Sequence, residues 1–374
     1  MNSQNPNIET FSVKTQLPAI KEYWLRLNKE APHQYFSSWG WIETWLTSLP
    51  ASYLPDCHIG FINSQPCFGY FSSRSLTKKY KILSYYNLHI NTTGNETYDD
   101  LIIEYNNFLI NTRLIPQDSA IQHIINSLAD DKIHIPACDK STHNALKKTT
   151  STFNITSNKR HSYYIDLSGI RSAHDSYLNT LSKNSRYQIK KSLKILEPEG
   201  DLNIQIAETS LQALTMLDEL THIHQRYWIA KNKPGAFSSN YFISFHKKLI
   251  ENRFDDKEIL VTKISTNKSV LGYIYGFLYN GSFLYYQSGF NYPDNKKVKP
   301  GYISHYLLIE YFLRGNIKTY DFLAGEQQYK KSLSNSQTEM CWQILLNKNS
   351  RILRIESGLK KIKQLLYKKI IKNN

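Results

Sequence analysis

The sequence predicts a mixed α/β chain built as two successive domains, with a basic helix appended at its C-terminus. Three observations lead there. At 374 residues, with 41% hydrophobic and 13% aromatic residues, the chain exceeds one ordinary core and can fill two. Its apolar pattern switches repeatedly between helical spacing and strand alternation. Charge divides it as well: residues 1–155 hold 13 Lys/Arg against 13 Asp/Glu, and residues 156–374 hold 33 against 18, so the whole net charge of +15 lies in the second part. The expected domains are therefore 1–155 and 156–350, followed by a helical tail at 351–374. A field of that sign attracts phosphate on a nucleotide, an RNA or an anionic membrane face, and does not choose among them.

In the first half, Ser38 to Leu46 reads as an aromatic helix, and Leu54–Ile62 and Cys67–Ser73 read as a hairpin turned by Asn63-Ser64-Gln65-Pro66. A strand around Ile82 to Leu88 follows, then helices over Asp99–Asn111 and Asp118–Leu128 and a short strand at Lys132–Ile135. The polar segment Thr149 to Arg160 carries the expected boundary, next to a strand at Tyr163–Leu167.

In the second half, the pattern predicts helix over Asp175–Leu196, strand over Leu202–Ala207, and helices over Leu211–Ala230 and Ser239–Arg253. Three strands follow, Glu258–Ile264, Val270–Leu278 and Phe283–Phe290, the last two joined by Asn280-Gly281, a two-residue hairpin signal. Helix Gly301–Leu313, strand Lys318–Leu323, a short helix from Gln327 to Leu333 and strand Glu339–Leu346 complete the order β-α-α-β-β-β-α-β-α-β.

Two segments carry candidate chemistry. Tyr320 to Lys330 is an apolar strand that stops at Gly325 and presents two carboxylates, a phenol and an ammonium. Upstream, Lys296-Lys297-Val298-Lys299-Pro300-Gly301 opens a helix directly after a strand, where free N–H groups and the helix dipole favour an anion. The plain alternatives stay open: a helix start with solvated lysines, and a Glu326–Lys330 ion pair on an exposed helix face.

The element order resembles the GNAT N-acetyltransferase superfamily, and its CelD-like, Fem-like branch in particular. The resemblance rests on Leu181-Ser182-Lys183-Asn184-Ser185-Arg186, on His224 to Trp228, on Ser288-Gly289-Phe290, on Pro300-Gly301 and on Asp321 to Lys330. Phe36-Ser37-Ser38-Trp39 adds an N-terminal match. It spans most of residues 30–350 and implies two tandem GNAT-like folds, the first degenerate. It implies an acyl-CoA donor, acetyl-CoA for example, held by Gln287, Ser288, Gly289, Lys297, Lys299, Gly301 and Tyr302. The catalytic residues would be Glu326 as a partly desolvated base, Tyr329 as the acid for the departing thiolate, and Lys330 as a stabiliser of negative charge. Gly289 would permit a bulge that splays two strands for the donor arm. The acceptor, a small or envelope-precursor amine, would meet Arg186, His224, Trp228 and Asp321. Core packing of His224 and Trp228, and a structural place for Asp321, are the alternatives. The loop at 296–301 offers one glycine and no arginine where the branch is richer in both. A donor of charged tRNA is the second reading, and a non-catalytic envelope-assembly accessory protein the third.

Cys57, Cys67, Cys138 and Cys341 show no CxxC spacing, so neither a disulfide framework nor a metal is expected. No run of about 18 apolar residues is present, which gives the expectation of a cytoplasmic chain. In the last 24 residues, Ile355, Leu359, Ile362, Leu366 and Ile370 form a stripe on a basic helix. It either lies on an anionic membrane, at the inner face, or packs on its own domain.

Overall fold

The computed structural model describes residues 5–80, 82–101 and 103–372, with side chains to residue 361. The chain opens with strand β1 (Asn7–Ser12), helix α1 (Val13–Glu30) and helix α2 (Trp39–Ser48). Strands β2 (Asp56–Ile62), β3 (Gln65–Lys79), β4 (Leu83–Ile90) and β5 (Leu109–Ile110) follow, then α3 (Gln117–Ser127), β6 (Lys132–Asp139), α4 (Lys140–Thr149) and β7 (Phe153–Asp166). Next come α5 (Leu167–Ser172), α6 (Tyr177–Thr180), α7 (Lys183–Leu196), β8 (Asn203–Ile206), α8 (Ser210–Ile229) and α9 (Asn240–Arg253). The remainder is β9 (Ile259–Ser265), β10 (Val270–Tyr279), β11 (Ser282–Phe290), α10 (Pro300–Leu313), β12 (Thr319–Ala324), α11 (Gln328–Leu333), β13 (Ser336–Asn347) and α12 (Arg351–Lys372).

These elements form two units, and neither is a continuous stretch of chain. One contains Met1–Trp39, Leu49–Lys159 and Met340–Asn374; the other contains Gly40–Ser48 and Arg160–Glu339. The contiguous split expected at 155 and 350 therefore differs in three places: most of α2 joins the second unit, and most of β13 and the helix α12 join the first.

Each unit repeats one plan. In the first, β2, β3 and β4 make an antiparallel meander, and β6 returns through α3 to lie parallel to β4. In the second, β9, β10 and β11 make the meander, and β12 returns through α10 to lie parallel to β11. The hairpin turn between β10 and β11 is Asn280-Gly281, both with positive φ (47° and 77°), the conformation that sequence pair supplies. The strand completing each unit comes from a distant part of the chain: β13 pairs antiparallel with β6, and residues 162–166 of β7 pair antiparallel with β12.

The first core gathers Phe68, Tyr70, Ile121, Ile124, Ile133 and Cys341 around β3, β6 and α3. The second gathers Ile165, Ile189, Ile274, Phe283, Leu308 and Tyr320 between the sheet and helices α7 and α10. On the opposite face of that sheet, Trp41 of α2 packs edge-on to Phe245, Phe277 and Tyr286. All four cysteines are buried free thiols.

Two helices expected from the sequence are different in the structure. Asp99 to Asn111 is a single turn at Asp99–Leu101 followed by loop and β5. The Asp99 carboxylate folds back to accept the N–H groups of Thr93 and Gly94, each at 2.8 Å, which holds the segment out of helix. Asp175 to Leu196 is broken at Leu181-Ser182, where the Ser182 hydroxyl accepts the N–H of Ser185 and caps α7 anew. Helices α1 and α4 and strand β1 lie where the sequence signals nothing clear. Ile355, the first residue of the expected C-terminal stripe, is 52% exposed, while Ile362, Leu366 and Ile370 lie outside the residues whose side chains are described.

Trp41 is fully buried, so Trp41→Ala is expected to lower the unfolding free energy by about 3–5 kcal/mol in urea. Leu25→Ala, at a side chain 45% exposed, should stay within about 0.5 kcal/mol.

Candidate active site

The site begins with a parting of two parallel strands. β11 and β12 are paired only through Ser282–Thr319, Phe283–Tyr320 and Leu284–Asp321. Beyond Leu284, β11 runs on to Phe290, and beyond Asp321, β12 runs on to Ala324. The backbone edges facing that gap are left without each other as partners, which is a place for an extended ligand to bond. On its other side β11 carries a bulge: Tyr275 and Gly276 are adjacent on β10 but face Gln287 and Tyr285, leaving Tyr286 as the extra residue.

The bulge expected at Gly289 is therefore at Tyr286. Gly289 has a different cause. A Cβ there would stand 2.6 Å from the Leu220 carbonyl oxygen and 3.1 Å from the His224 nitrogen, so it is glycine that lets α8 lie directly on the strand backbone.

The end of β12 is bent and fastened. Between Asp321 and Ala324 its register with β7 slips by one residue, and Leu323 sits in the left-handed region with φ 61°. Such a conformation costs a leucine roughly 1–2 kcal/mol. The Asp321 carboxylate offsets this by accepting the Leu323 N–H at 2.7 Å and the Ser162 hydroxyl at 3.3 Å. Lys330 reaches back from α11, its ammonium donating to the Ala324 carbonyl at 2.8 Å and the Leu323 carbonyl at 3.5 Å. Both charged side chains are buried, 6% and 7% exposed. Asp321, expected to meet an acceptor, and Lys330, expected to meet reacting charge, are both engaged with this strand end.

Below the gap lies a packed set of aromatic and hydroxyl groups. Tyr329 donates to the Tyr285 hydroxyl at 3.3 Å, and the Tyr285 and Ser288 hydroxyls are 2.6 Å apart. The Tyr329 ring stacks on His305 with centroids 5.7 Å apart. His305 is fully buried; its Nδ1 meets the Tyr320 hydroxyl at 2.7 Å. Burial, aided by the Lys330 ammonium, lowers the His305 pKa to about 3, so this imidazole is neutral. Burial drives the Tyr329 phenol well above its ordinary value, so it stays protonated and able to donate.

Glu326 departs from its expected setting. It is exposed rather than desolvated, and its Oε1 accepts the His161 N–H at 3.5 Å. It also precedes α11, which starts at Gln328, so it shares no helix with Lys330.

At the start of α10, no side chain caps the helix, Pro300 occupies its first turn and the Ile303 N–H bonds to the Lys299 carbonyl. The preceding loop is tied to α7 by the Ser192 hydroxyl, which donates to the Lys297 carbonyl and accepts the Lys299 N–H. Lys297 is exposed, and Lys299, Gly301 and Tyr302 are half-buried. A Cβ on Gly301 would meet the Phe290 ring at 3.2 Å, so this glycine accommodates the ring instead of standing open.

Of the remaining candidates, Gln287 and Ser288 lie on β11 beside the gap. His224 is buried and committed to structure: its Nδ1 donates to the Ser288 carbonyl at 2.9 Å and its Nε2 accepts the Ala236 N–H at 3.4 Å. Trp228 is half-buried under the Lys233 ammonium, and Arg186 donates to Asn179 at 3.5 Å. Tyr285 went unnoticed in the sequence, and Tyr320 was read only as the start of an apolar strand; by their pattern both read as core. Among the described residues, no group of three or more His, Cys, Asp and Glu is placed to hold a metal ion, and no helix is long and apolar enough to cross a membrane.

Residues 183–331 match the family model described as an acetyltransferase (GNAT) domain. That segment is a GNAT-type acetyltransferase domain. The whole chain is similar in fold to the crystal structure of FemX, at TM-score 0.52 and 10% identity, covering 89% of this chain and 96% of that one. It is also similar to L-PGS from Bacillus licheniformis (TM-score 0.47, 9% identity, 90% and 94% covered). A tandem GNAT protein from the clavulanic acid biosynthesis pathway gives TM-score 0.44 and 10% identity, with 90% and 98% covered. No curated protein matches the sequence.

The GNAT plan is repeated in the first unit, but there the equivalent gap is closed. β4 and β6 are paired at Asn87–Lys132, Leu88–Ile133 and His89–His134, and where they part the segment Asn106-Asn107 enters. Asn106 donates its N–H to the Ala137 carbonyl and its side-chain amide to the Ile90 carbonyl, bridging the two strands. Asn91 bonds to the Asn106 side chain, and Asn107 exchanges two bonds with Asp139. An intramolecular plug thus bridges the two strands at the position where, in the second unit, β11 and β12 make no bonds to each other.

Burial also lowers the His246 pKa to about 3, matching His305. Above the ordinary histidine value both imidazoles are neutral whether folded or unfolded, and neither gives stability a pH dependence there. Below about pH 6.5 the unfolded chain takes up protons that the folded chain refuses, so stability is lost as pH falls toward 3. The urea midpoint is expected to drop from pH 6.5 to 4, and His246→Gln to shallow the slope by up to ~1.4 kcal/mol per pH unit. Equal slopes in the two proteins would contradict the assignment.

Proposed function

We propose that the chain is an acyltransferase that carries an acyl group from a thioester such as acetyl-CoA to an amine on a small or envelope-precursor acceptor. The observation that carries this reading is the parting of β11 from β12 beyond Leu284 and Asp321. The stretch of β11 that has parted from β12 would bind an amide-bearing donor arm as an added strand, placing the thioester by the hydroxyl set. The first-turn N–H groups of α10, with Lys297 and Lys299 nearby, would receive the donor's phosphates.

In this reading the amine attacks the thioester carbonyl, the negative charge on its oxygen is met by backbone N–H groups of the β11 bulge, and the thiolate leaves. Tyr329 is the acid for that thiolate. Tyr285, itself bonded to Ser288, holds its hydroxyl in place, and the two offer a hydrogen-bonded route by which the phenolate regains a proton. Glu326 is the exposed acceptor for the amine's proton. Lys330 and Asp321 act by position, as fasteners of the β12 end. Trp228 and Arg186 remain the acceptor-side residues, whereas His224 supports β11. In the membrane reading the C-terminal helix would bring the enzyme to an anionic cytoplasmic face. Its start is tied down: the Glu356 carboxylate accepts Lys79 at 2.6 Å and Lys360 at 2.9 Å.

One observation favours charged tRNA as the donor instead. The helix start offers a single glycine, covered by Phe290, and residues 296–301 contain no arginine, so the cradle for a pyrophosphate is sparse. The experiment is calorimetric titration with acetyl-CoA and longer acyl-CoAs, beside a charged-tRNA gel shift across salt. Saturable CoA binding supports the thioester reading. Binding of charged tRNA alone, weakening steeply with salt, supports the second. Donor binding without turnover on any amine would mark an accessory protein. In the active enzyme, Tyr329→Phe should keep the stack on His305 and the donor affinity while lowering turnover by roughly 10²-fold. Wild-type turnover in that variant would remove Tyr329 from the chemistry, and wild-type turnover in Glu326→Gln would remove Glu326.

A further inference from the structure

The first unit has lost its donor gap to the Asn106 plug, yet it contains a cavity of about 640 Å³ that lies on its sheet face. That is the size of a small-molecule site. The floor is a polar patch spread over three adjacent strands. Thr10 of β1 pairs with His58 of β2, and His58 and Asp56 pair with Tyr70 and Ser72 of β3. Because side chains at alternate positions share a face, Tyr70, Ser72 and Arg74 continue the same patch along β3.

The patch is rigid. His58 lies flat against Tyr70, ring centroids 4.7 Å apart, and is clamped at both nitrogens, Nδ1 to the Thr10 hydroxyl at 3.0 Å and Nε2 to the Ser72 hydroxyl at 2.8 Å. Each hydroxyl keeps hydrogen-bonding capacity for a further partner. Over the patch stand Tyr53, which packs on Tyr98 at 4.7 Å, and the Thr93–Gly94 turn held by Asp99. In the loop after α3, Asp130 grips Arg74 through two bonds, 2.9 and 3.2 Å.

Charge selects among ligands. Arg74 is the sole Lys or Arg among the lining residues, and its partner Asp130 is almost fully buried, so the guanidinium is neutralised in place. Asp56 adds a second carboxylate to the lining. An anionic ligand would meet net negative charge and no free cation. A cavity rich in fixed hydroxyls, with the partly exposed Tyr53 ring and no spare positive charge, fits a molecule that brings many hydroxyls, an apolar ring face and no charge.

We propose that the first unit binds a neutral sugar, a mono- or disaccharide or the end of a longer glycan, in this cavity. This assignment is independent of the acyl-transfer reading, since it involves none of the residues of the second unit. Its function would be to hold a glycan-bearing molecule on the same chain that carries the GNAT domain.

The test is titration of the full chain, by calorimetry and by ligand-observed NMR, with glucose, N-acetylglucosamine and cellobiose, and with glucose 6-phosphate as the anionic counter-probe. Saturable binding of at least one neutral sugar is expected, with glucose 6-phosphate binding more weakly than glucose. Thr10→Val, which removes one hydroxyl, should weaken it about tenfold. Ser72→Leu, which fills the floor, should abolish it, while acetyl-CoA titration stays unchanged in both. Should Ser72→Leu fail to fold, Thr10→Val carries the test alone. Three results would overturn the proposal: no neutral probe binding the wild-type chain, the phosphorylated sugar binding more tightly than its parent, or wild-type affinity in folded Thr10→Val.

Discussion

The site depends on how the end of β12 is held. If β12 stayed straight and in register with its neighbours, β11 and β12 could remain paired to their ends and no edge would be open. It bends because Leu323 adopts a left-handed conformation, and that conformation persists because Asp321 takes the Leu323 N–H and Lys330 takes the carbonyls of Leu323 and Ala324. Charge-assisted bonds of this kind contribute about 1.5–3 kcal/mol each, enough to outweigh the backbone strain. The placement of Tyr329 follows, for α11 leaves directly from this strand end and carries both Lys330 and the phenol. The residues that look most catalytic in the sequence are thus divided between those that shape the gap and those that stand beside it.

The repeat makes the comparison internal. Both units run a meander, a helix and a parallel return strand, and both part their parallel strands beyond three paired residues. In the second unit β11 and β12 part without pairing further; in the first the parting is bridged by asparagine side chains and backbone. The filled gap describes the shape the second one has: two strands that part after three paired residues, with room there for a segment of extended shape. The chain also exchanges strands between the repeats, with β13 completing the first sheet and the end of β7 completing the second. Such pairing leaves neither repeat as a contiguous segment.

Much of the second unit was legible in sequence because its signals are local. The alternation of residues 258–290 and the Asn280-Gly281 turn each act over a few residues, whereas the cap at Ser182 that splits the helix read over Asp175–Leu196 went unread. What else escaped the sequence was non-local. No local pattern says that β13 joins the first sheet or that Trp41 seals the second. The helix read at Asp99–Asn111 had suitable apolar spacing, but Asp99 is taken by the Thr93–Gly94 turn and Asn106 by two strands. Helix α1 was hidden by Pro18 and by a kink at Gln16. At the site, the segment from Asp321 to Lys330 was found, while the settings of its charged side chains were not. Glu326 and Lys330 are spaced as a helical ion pair, yet one is exposed in a loop and the other turns inward to backbone carbonyls. Tyr285 was indistinguishable from core by its pattern, because only its hydroxyl contacts with Ser288 and Tyr329 separate it from any other buried ring.

The central claim is that the open edge between β11 and β12 receives the donor. Amide hydrogen exchange with and without acetyl-CoA reads that edge directly. The account predicts slowed exchange over Tyr286–Phe290 and over the first turn of α10, with no change over Asn106–Asn111, where the first unit's gap is already filled. Donor binding that leaves Tyr286–Phe290 exchanging at its free rate would contradict it.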